Sequence, residues 1–382
     1  MIAYSENELY NYHVRHQAHG ASESGDISME SCKQIKDAYP TKLSTPHFFI
    51  AIAVGLLTII AVVFTGILAW LLTQAYSSSG IAVLSAFMAV ACYSFLEWAV
   101  KNKNYFNAGI DNVLMSLVLF FSAGVFLSYS DDVSWILFNA FLMLLALWLC
   151  LRFADAFMAI VSCGFFLTLC FLLYLKSAPK AVEYFPFVVM GIIGVLYFFI
   201  TKAKNKVKFV YEKCLMVLTI FLLLAFYAAG NYWVVNQLRS SITPAQGPIR
   251  STWIFWIFTF LIPIVYIVYG IIKKEILHLR IGLLLVAMTV FTYKCYYALL
   301  PVEIEMLMLG LLLIAITYFL IKWLKTSRHG YTSESVGDRP SWRNAESLII
   351  GETMGGLYKT KTAESHLMDG GSGGGAGATG EY

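Results

Sequence analysis

From Phe48 to Trp323 the sequence is a near-unbroken series of about ten apolar stretches. Each is long enough to cross a bilayer as a helix. No large internal core can absorb so much apolar surface. Hydrophobic residues make up 59% of the chain and charged residues only 13%, about half the charge of a soluble globular protein. Lipid must accept this surface. Backbone polar groups in hydrocarbon have to be satisfied within their own segment, and the stretches lack the alternation of a membrane barrel. The expected fold is all-α, a polytopic transmembrane helical bundle of about ten spans with both termini cytoplasmic.

The expected spans are Phe48–Leu72, Gly80–Val100, Ile110–Ser128, Val133–Leu151 and Ala156–Leu175 in the first half. Tyr184–Ile200, Cys214–Val235, Trp253–Ile272, Ile281–Leu300 and Glu305–Trp323 follow in the second. This divides the chain into an N-terminal helical hairpin at 1–47, a membrane domain at 48–323 and a Gly-rich tail at 324–382. The first segment carries Glu6, Glu8, Glu23, Asp26 and Glu30 and lacks the pattern of a cleavable signal peptide, so the first span is expected to direct its own insertion.

Basic residues in short loops stay cytoplasmic during insertion. One side collects Arg15, Lys33, Lys36 and Lys42, then Lys101 and Lys103, then Arg152, then the run Lys202, Lys204, Lys206, Lys208 and Lys213, then Lys273, Lys274 and Arg280, and finally Lys322, Lys325 and Arg328. The other side holds only Lys176, Lys180, Arg239 and Arg250. An even number of spans with both ends cytoplasmic fits this bias. The lysine run would attract anionic lipid headgroups at about 1 kcal/mol per charge, with topology setting as its plainer role. On the second span Ala82, Ala86, Ser85 and Ala89 repeat at four-residue spacing, which allows a neighbouring helix to approach closely. The seven cysteines lie mostly within apolar runs, where no disulfide framework is expected.

At the N-terminus, Ser5 followed by Glu8 matches a capping box for a helix at about Glu6–His19 that breaks at Gly20–Asp26. Ser28 can cap a second helix with an apolar stripe of Met29, Cys32, Ile35 and Tyr39, stopped by Pro40. This arrangement of a helix, Gly25-Asp26-Ile27-Ser28 and a helix ending in Tyr39-Pro40 resembles a family of bacterial multi-pass membrane proteins of unknown function. The resemblance covers about the first seventy residues. It implies a bacterial inner-membrane location and no mechanism. In the tail, Trp342–Leu357 holds enough apolar residues for one short helix, which either docks in cis or recruits a cytoplasmic partner.

The polar candidates are few. Charges inside spans are functional candidates by default. Glu97 and Asp111 close a helical hairpin and would meet at a proton or cation site or sit at headgroup level beside Lys101 and Lys103. Lys294 and Glu305 form a second pair, explained equally by a snorkelling lysine. His13, His16 and His19 have a spacing that brings imidazoles together for a metal such as zinc, with a solvated face as the plainer alternative. Arg152 and Asp155 bracket a tight turn.

No catalytic or cofactor motif occurs, and nothing points to nucleic acid. Transport, with Glu97, Asp111, Lys294 and Glu305 as the lining, is the first functional expectation. A membrane sensor or scaffold acting through its cytoplasmic ends is the second, and an intramembrane enzyme the weakest.

Overall fold

A computed structural model of the chain describes residues 2–23, 27–129, 134–177, 184–203, 209–242 and 252–297, with isolated helical positions between 304 and 322. Among the described residues there are twelve helices and no strand beyond one isolated bridge, Ser44 to Tyr105. The first two are α1 (Glu6–Glu23) and α2 (Met29–Ala38). The long helices are α3 (Phe48–Thr73), α4 (Ser78–Lys103), α5 (Ile110–Leu127), α6 (Trp135–Phe153), α7 (Ala156–Ser177) and α8 (Phe185–Ala203), then α9 (Glu212–Gly230), α11 (Thr252–Lys273) and α12 (Ile276–Tyr296). The short α10 (Tyr232–Ile242) lies between α9 and α11. Among the described residues nine helices are long and apolar enough to cross a membrane. The chain therefore carries the helices of a multi-pass membrane protein. Phe64 and Leu72 of α3 stand 70% and 77% exposed, an apolar surface suited to lipid.

Neighbouring helices pack as hairpins, α4 with α5, α6 with α7 and α11 with α12, and α7 against α9 joins the two halves. Gln74, Asn104, Ala154 and Lys274 take left-handed φ values of 47, 53, 53 and 56° at helix ends. One such residue reverses the chain within very few positions, at about 1–2 kcal/mol for a non-glycine. The turns bring the ends of α4 and α6 and the start of α9 together. There the Tyr211 hydroxyl donates to the Leu151 carbonyl at 2.7 Å, and Cys214 Sγ to that of Ala154 at 3.2 Å. Lys101, Lys103, Arg152 and Lys213 share this basic end.

α3 is seated on α5 through glycine. Gly109, at φ +86°, lies so close to α3 that a Cβ there would stand 2.0 Å from the Ala51 carbonyl oxygen. Small residues also admit α5 to α4: Ala82 and Ala89 are buried and Ser85 faces Gly124, whereas Ala86 points outward.

Three boundaries depart from the sequence reading. The expected span Cys214–Val235 stops at Gly230, because Asn231 adopts extended backbone (φ −78°, ψ 126°) and turns its side chain to cap α10, so Val235 belongs to the next helix. The expected span from Ile281 starts earlier, at Ile276, since His278 is buried within the bundle. α1 runs through Gly20 to Glu23. Glu8 makes no capping box either: its Oε2 accepts from Thr41 Oγ1 at 2.9 Å and the Lys42 amide at 2.7 Å, tying α1 to the strap before α3. Ser28 Oγ does cap α2, accepting from the Ser31 amide at 3.1 Å. All seven cysteines are free. The tail from 323 onward, including Trp342–Leu357, lies outside the described residues.

Candidate functional site

The N-terminus is built into the basic end. The Ala3 amide donates to the Arg152 carbonyl at 2.8 Å, and Tyr4 is buried edge-on to Phe106 with ring centroids 5.1 Å apart. Tyr12 of α1 meets the same ring at 5.3 Å, so Phe106 anchors the first segment twice. Burial, reinforced by the nearby carboxylates of Asp111 and Asp155, pushes the Tyr4 phenol well above its ordinary range. It stays neutral.

Beneath α1 lies a cavity of about 870 Å³. Its roof is Tyr12, His13, His16 and Gln17, and its floor comes from the starts of α5, α7 and α9, through Asn112, Asp155 and Lys213. Phe157 and Met216 line it as well, yet they are 56% and 44% exposed on the outer surface of the bundle. The cavity is thus polar on one side and apolar where it meets the bundle's flank. Asp155 Oδ1 caps α7 by accepting from the Met158 amide at 2.8 Å. Burial raises the Asp155 carboxyl above the usual range, opposed by the Met158 and Phe157 amides and by the charge of Lys213.

Glu97 and Asp111 engage separate partners. Glu97 forms a two-point ion pair with Arg152, Nε to Oε1 at 2.9 Å and Nη2 to Oε2 at 3.1 Å. Lys101 Nζ lies 3.1 Å from Oε2, and the Tyr93 hydroxyl donates to Oε1 at 3.0 Å. Arg152 therefore ties α6 to α4 instead of pairing across its own turn with Asp155. Asp111 is 2% exposed and accepts from the Ala108 amide at 2.9 Å, closing the loop into α5. Neither residue is part of the cavity wall.

His13 and His16 both reach the cavity, while His19 sits 3.4 Å from Glu23. Three-residue steps rotate successive imidazoles around α1, so the side chains diverge toward Phe209, Tyr12 and Glu23 respectively. Among the described residues no group of three His, Cys, Asp or Glu side chains is placed to hold a metal. Lys202 Nζ lies 4.4 Å from the centre of the Phe198 ring, and Lys204, Lys206 and Lys208 lie outside the described residues. Lys294 is half-buried near the far end of α12, and Glu305 lies outside the described residues.

Two polar clusters escaped the sequence reading. Tyr227, Asn231, Thr259, Thr289 and Thr292 form a buried network, in which Asn231 Nδ2 donates to Tyr227 Oη and Thr292 Oγ1, both at 2.9 Å. Thr289 Oγ1 lies 3.0 Å from Tyr227 Oη and donates to the Thr259 carbonyl at 2.9 Å. At the basic end His278, 4% exposed, lies 2.9 Å from the Tyr197 hydroxyl and 2.7 Å from a Glu275 carboxylate oxygen, with the Tyr269 ring 4.8 Å away. A search for charges overlooks the first cluster because all its members are neutral. The second had a signal in His278 itself, a histidine at the head of an apolar run.

Compared with protein-family models, curated proteins and solved structures, the chain matches none.

Proposed function

We propose that this protein is a ten-span membrane protein of a bacterial cytoplasmic membrane, with both ends in the cytoplasm, acting as a membrane-embedded sensor through its N-terminal hairpin. The observation that carries the reading is the seating of α1 over a cavity half polar and half apolar, at the end of the bundle that collects the lysines. The lysine bias puts that end on the cytoplasmic side, at headgroup depth, where α1 is the element between the bilayer surface and the cytosol. Most residues of α1 and α2 are exposed or half-buried, with only Leu9, Ala18 and Cys32 of the two helices buried. A segment with little buried surface opens at lower free energy than the packed spans.

Transport is the first expectation from the sequence, and two of the charges that would line its path, Glu97 and Asp111, are engaged otherwise. Glu97 is saturated by Arg152, Lys101 and Tyr93, and Asp111 by backbone amides. One observation favours transport as a second reading: α9 breaks at Asn231 beside buried hydroxyls, the kind of interrupted helix that transporters use.

Hydrogen exchange of the full chain in nanodiscs of differing surface charge and lateral packing tests the sensor reading. The expected result is that protection of residues 6–23 changes several-fold between bilayers while α4 to α7 stay constant. Uniform protection of α1 in every bilayer overturns it. Reporters fused to either end test the topology, both being expected active only in the cytoplasm.

A further inference from the structure

We propose that His278 is a proton-binding site, reached from the lysine-rich end through Glu275, and that Tyr197 passes its charge state to α8. The site is separate from the cavity beneath α1, and the inference goes beyond the sensor reading instead of resting on it.

Histidine is the side chain whose ordinary charge change falls between about pH 5 and 8, and a buried one needs partners for both ring nitrogens. In His278 Nδ1 lies 2.7 Å from Glu275 Oε2, and Nε2 lies 2.9 Å from Tyr197 Oη. Glu275 stands at the N-cap of α12, where a carboxylate ordinarily accepts from the first-turn amides. Its side chain makes no such bond and is turned to the imidazole instead. The carboxylate is 50% exposed and the imidazole 5%, so carboxylate, ring and phenol run in order from water to the interior. Phenols of α11 face the ring on its other sides, Tyr269 with centroids 4.8 Å apart and Tyr266 at 6.3 Å. Toward α9 the Tyr266 hydroxyl donates to the Leu223 carbonyl at 3.3 Å, and Tyr227 is bonded to Thr289 further along. Lys273, Lys274 and Arg280 are exposed. Glu275 is thus the charge at contact distance, and its sign favours an imidazolium against burial and the positive start of α12.

Proton uptake reverses one bond. With the ring neutral and its proton on Nδ1, Nε2 accepts from the Tyr197 hydroxyl. With the ring charged, Nε2 donates to that oxygen and the phenol proton turns to another acceptor. One proton is taken from water and none is released. The hairpin that carries the ring is packed too closely to follow this change. A Cβ at Gly270 would stand 2.7 Å from the Leu279 amide nitrogen, and one at Gly282 would stand 2.7 Å from the Ile267 side chain. α8 packs along α9 and reaches α12 through Tyr197, so it is the element that answers.

The test is a pH titration of the full chain in nanodiscs by NMR, with His278 identified through the Leu277–His278 peptide, the one leucine–histidine pair in the sequence. The ring is expected to change charge between about pH 5 and 8. Protection of residues 196–203 of α8 against hydrogen exchange, corrected for the intrinsic pH dependence, should change several-fold at the same midpoint. Glu275→Gln should weaken proton binding about ten-fold. Tyr197→Phe should keep the ring titration and abolish the response of α8. A ring that holds one charge state across the range, or an α8 whose protection does not follow the ring, overturns the proposal. So does a midpoint indifferent to Glu275→Gln, or an α8 response that survives Tyr197→Phe.

Discussion

The Glu97–Arg152 pair should behave as a structural tether whose strength can be measured. Both side chains are mostly covered, at 16% and 22% exposure, and the guanidinium makes two bonds of 2.9 and 3.1 Å to the carboxylate. Exposed pairs contribute about 0–1 kcal/mol, and breaking a buried pair costs about 3–5 kcal/mol. At this intermediate burial, Glu97→Gln or Arg152→Gln should each destabilise by about 2–3 kcal/mol, with a coupling between them of about 2 kcal/mol. Lys101 reaches the same carboxylate from a side chain 59% exposed, so Lys101→Gln should cost only about 0.5 kcal/mol. The assay is reversible unfolding in mixed micelles of the parent, both single variants and the double variant. A coupling within about 0.5 kcal/mol of zero would refute the tether. Glu97→Gln with full stability but an altered ion or proton flux would return the residue to a transport role.

Gly109→Ala should lower stability by about 3 kcal/mol or more, combining a left-handed backbone with overpacking, because its Cβ would stand 2.0 Å from the Ala51 carbonyl. Gly164→Ala, with nothing within 4 Å, should be neutral, and thermal melting of the two variants reads the contrast. Asn231→Ala should cost about 2–4 kcal/mol, since it orphans buried partners on Tyr227 and Thr292 and removes the cap of α10. Its amides should exchange first in α10, and unchanged exchange there would count against the cap. Burial raises the Asp155 carboxyl, so the folded chain holds that proton more tightly than the unfolded chain. Its contribution to stability is present below the ordinary carboxylate value of about 4 and is lost as pH rises through the higher folded value. Relative to Asp155→Asn, the parent should lose stability over that window, and a difference flat with pH would exclude the effect.

What was legible in the sequence is what lipid dictates locally. A span must be a contiguous apolar run, so Ile110 and Ala156 mark helix starts directly, and Ser28 announces its helix by a bond to a residue three positions away. What was not legible depends on partners far along the chain. Arg152 finds Glu97 across 55 residues, and Asn231 finds Thr292 across 61. The cavity is assembled from α1 and the first turns of three spans, a juxtaposition that no spacing encodes. Charges within spans stand out in the sequence as functional candidates, because an unpaired charge in hydrocarbon is the costliest side chain to keep. That same cost is why Glu97 and Asp111 arrive fully engaged, as a tether and a loop closure. Groups retained at the headgroup level with lower desolvation cost, such as the imidazoles of His13 and His16 and the amides of Gln17 and Asn112, are the ones that face open volume. In this bundle a ligand is therefore better sought where polarity is moderate and space remains than where charge is greatest.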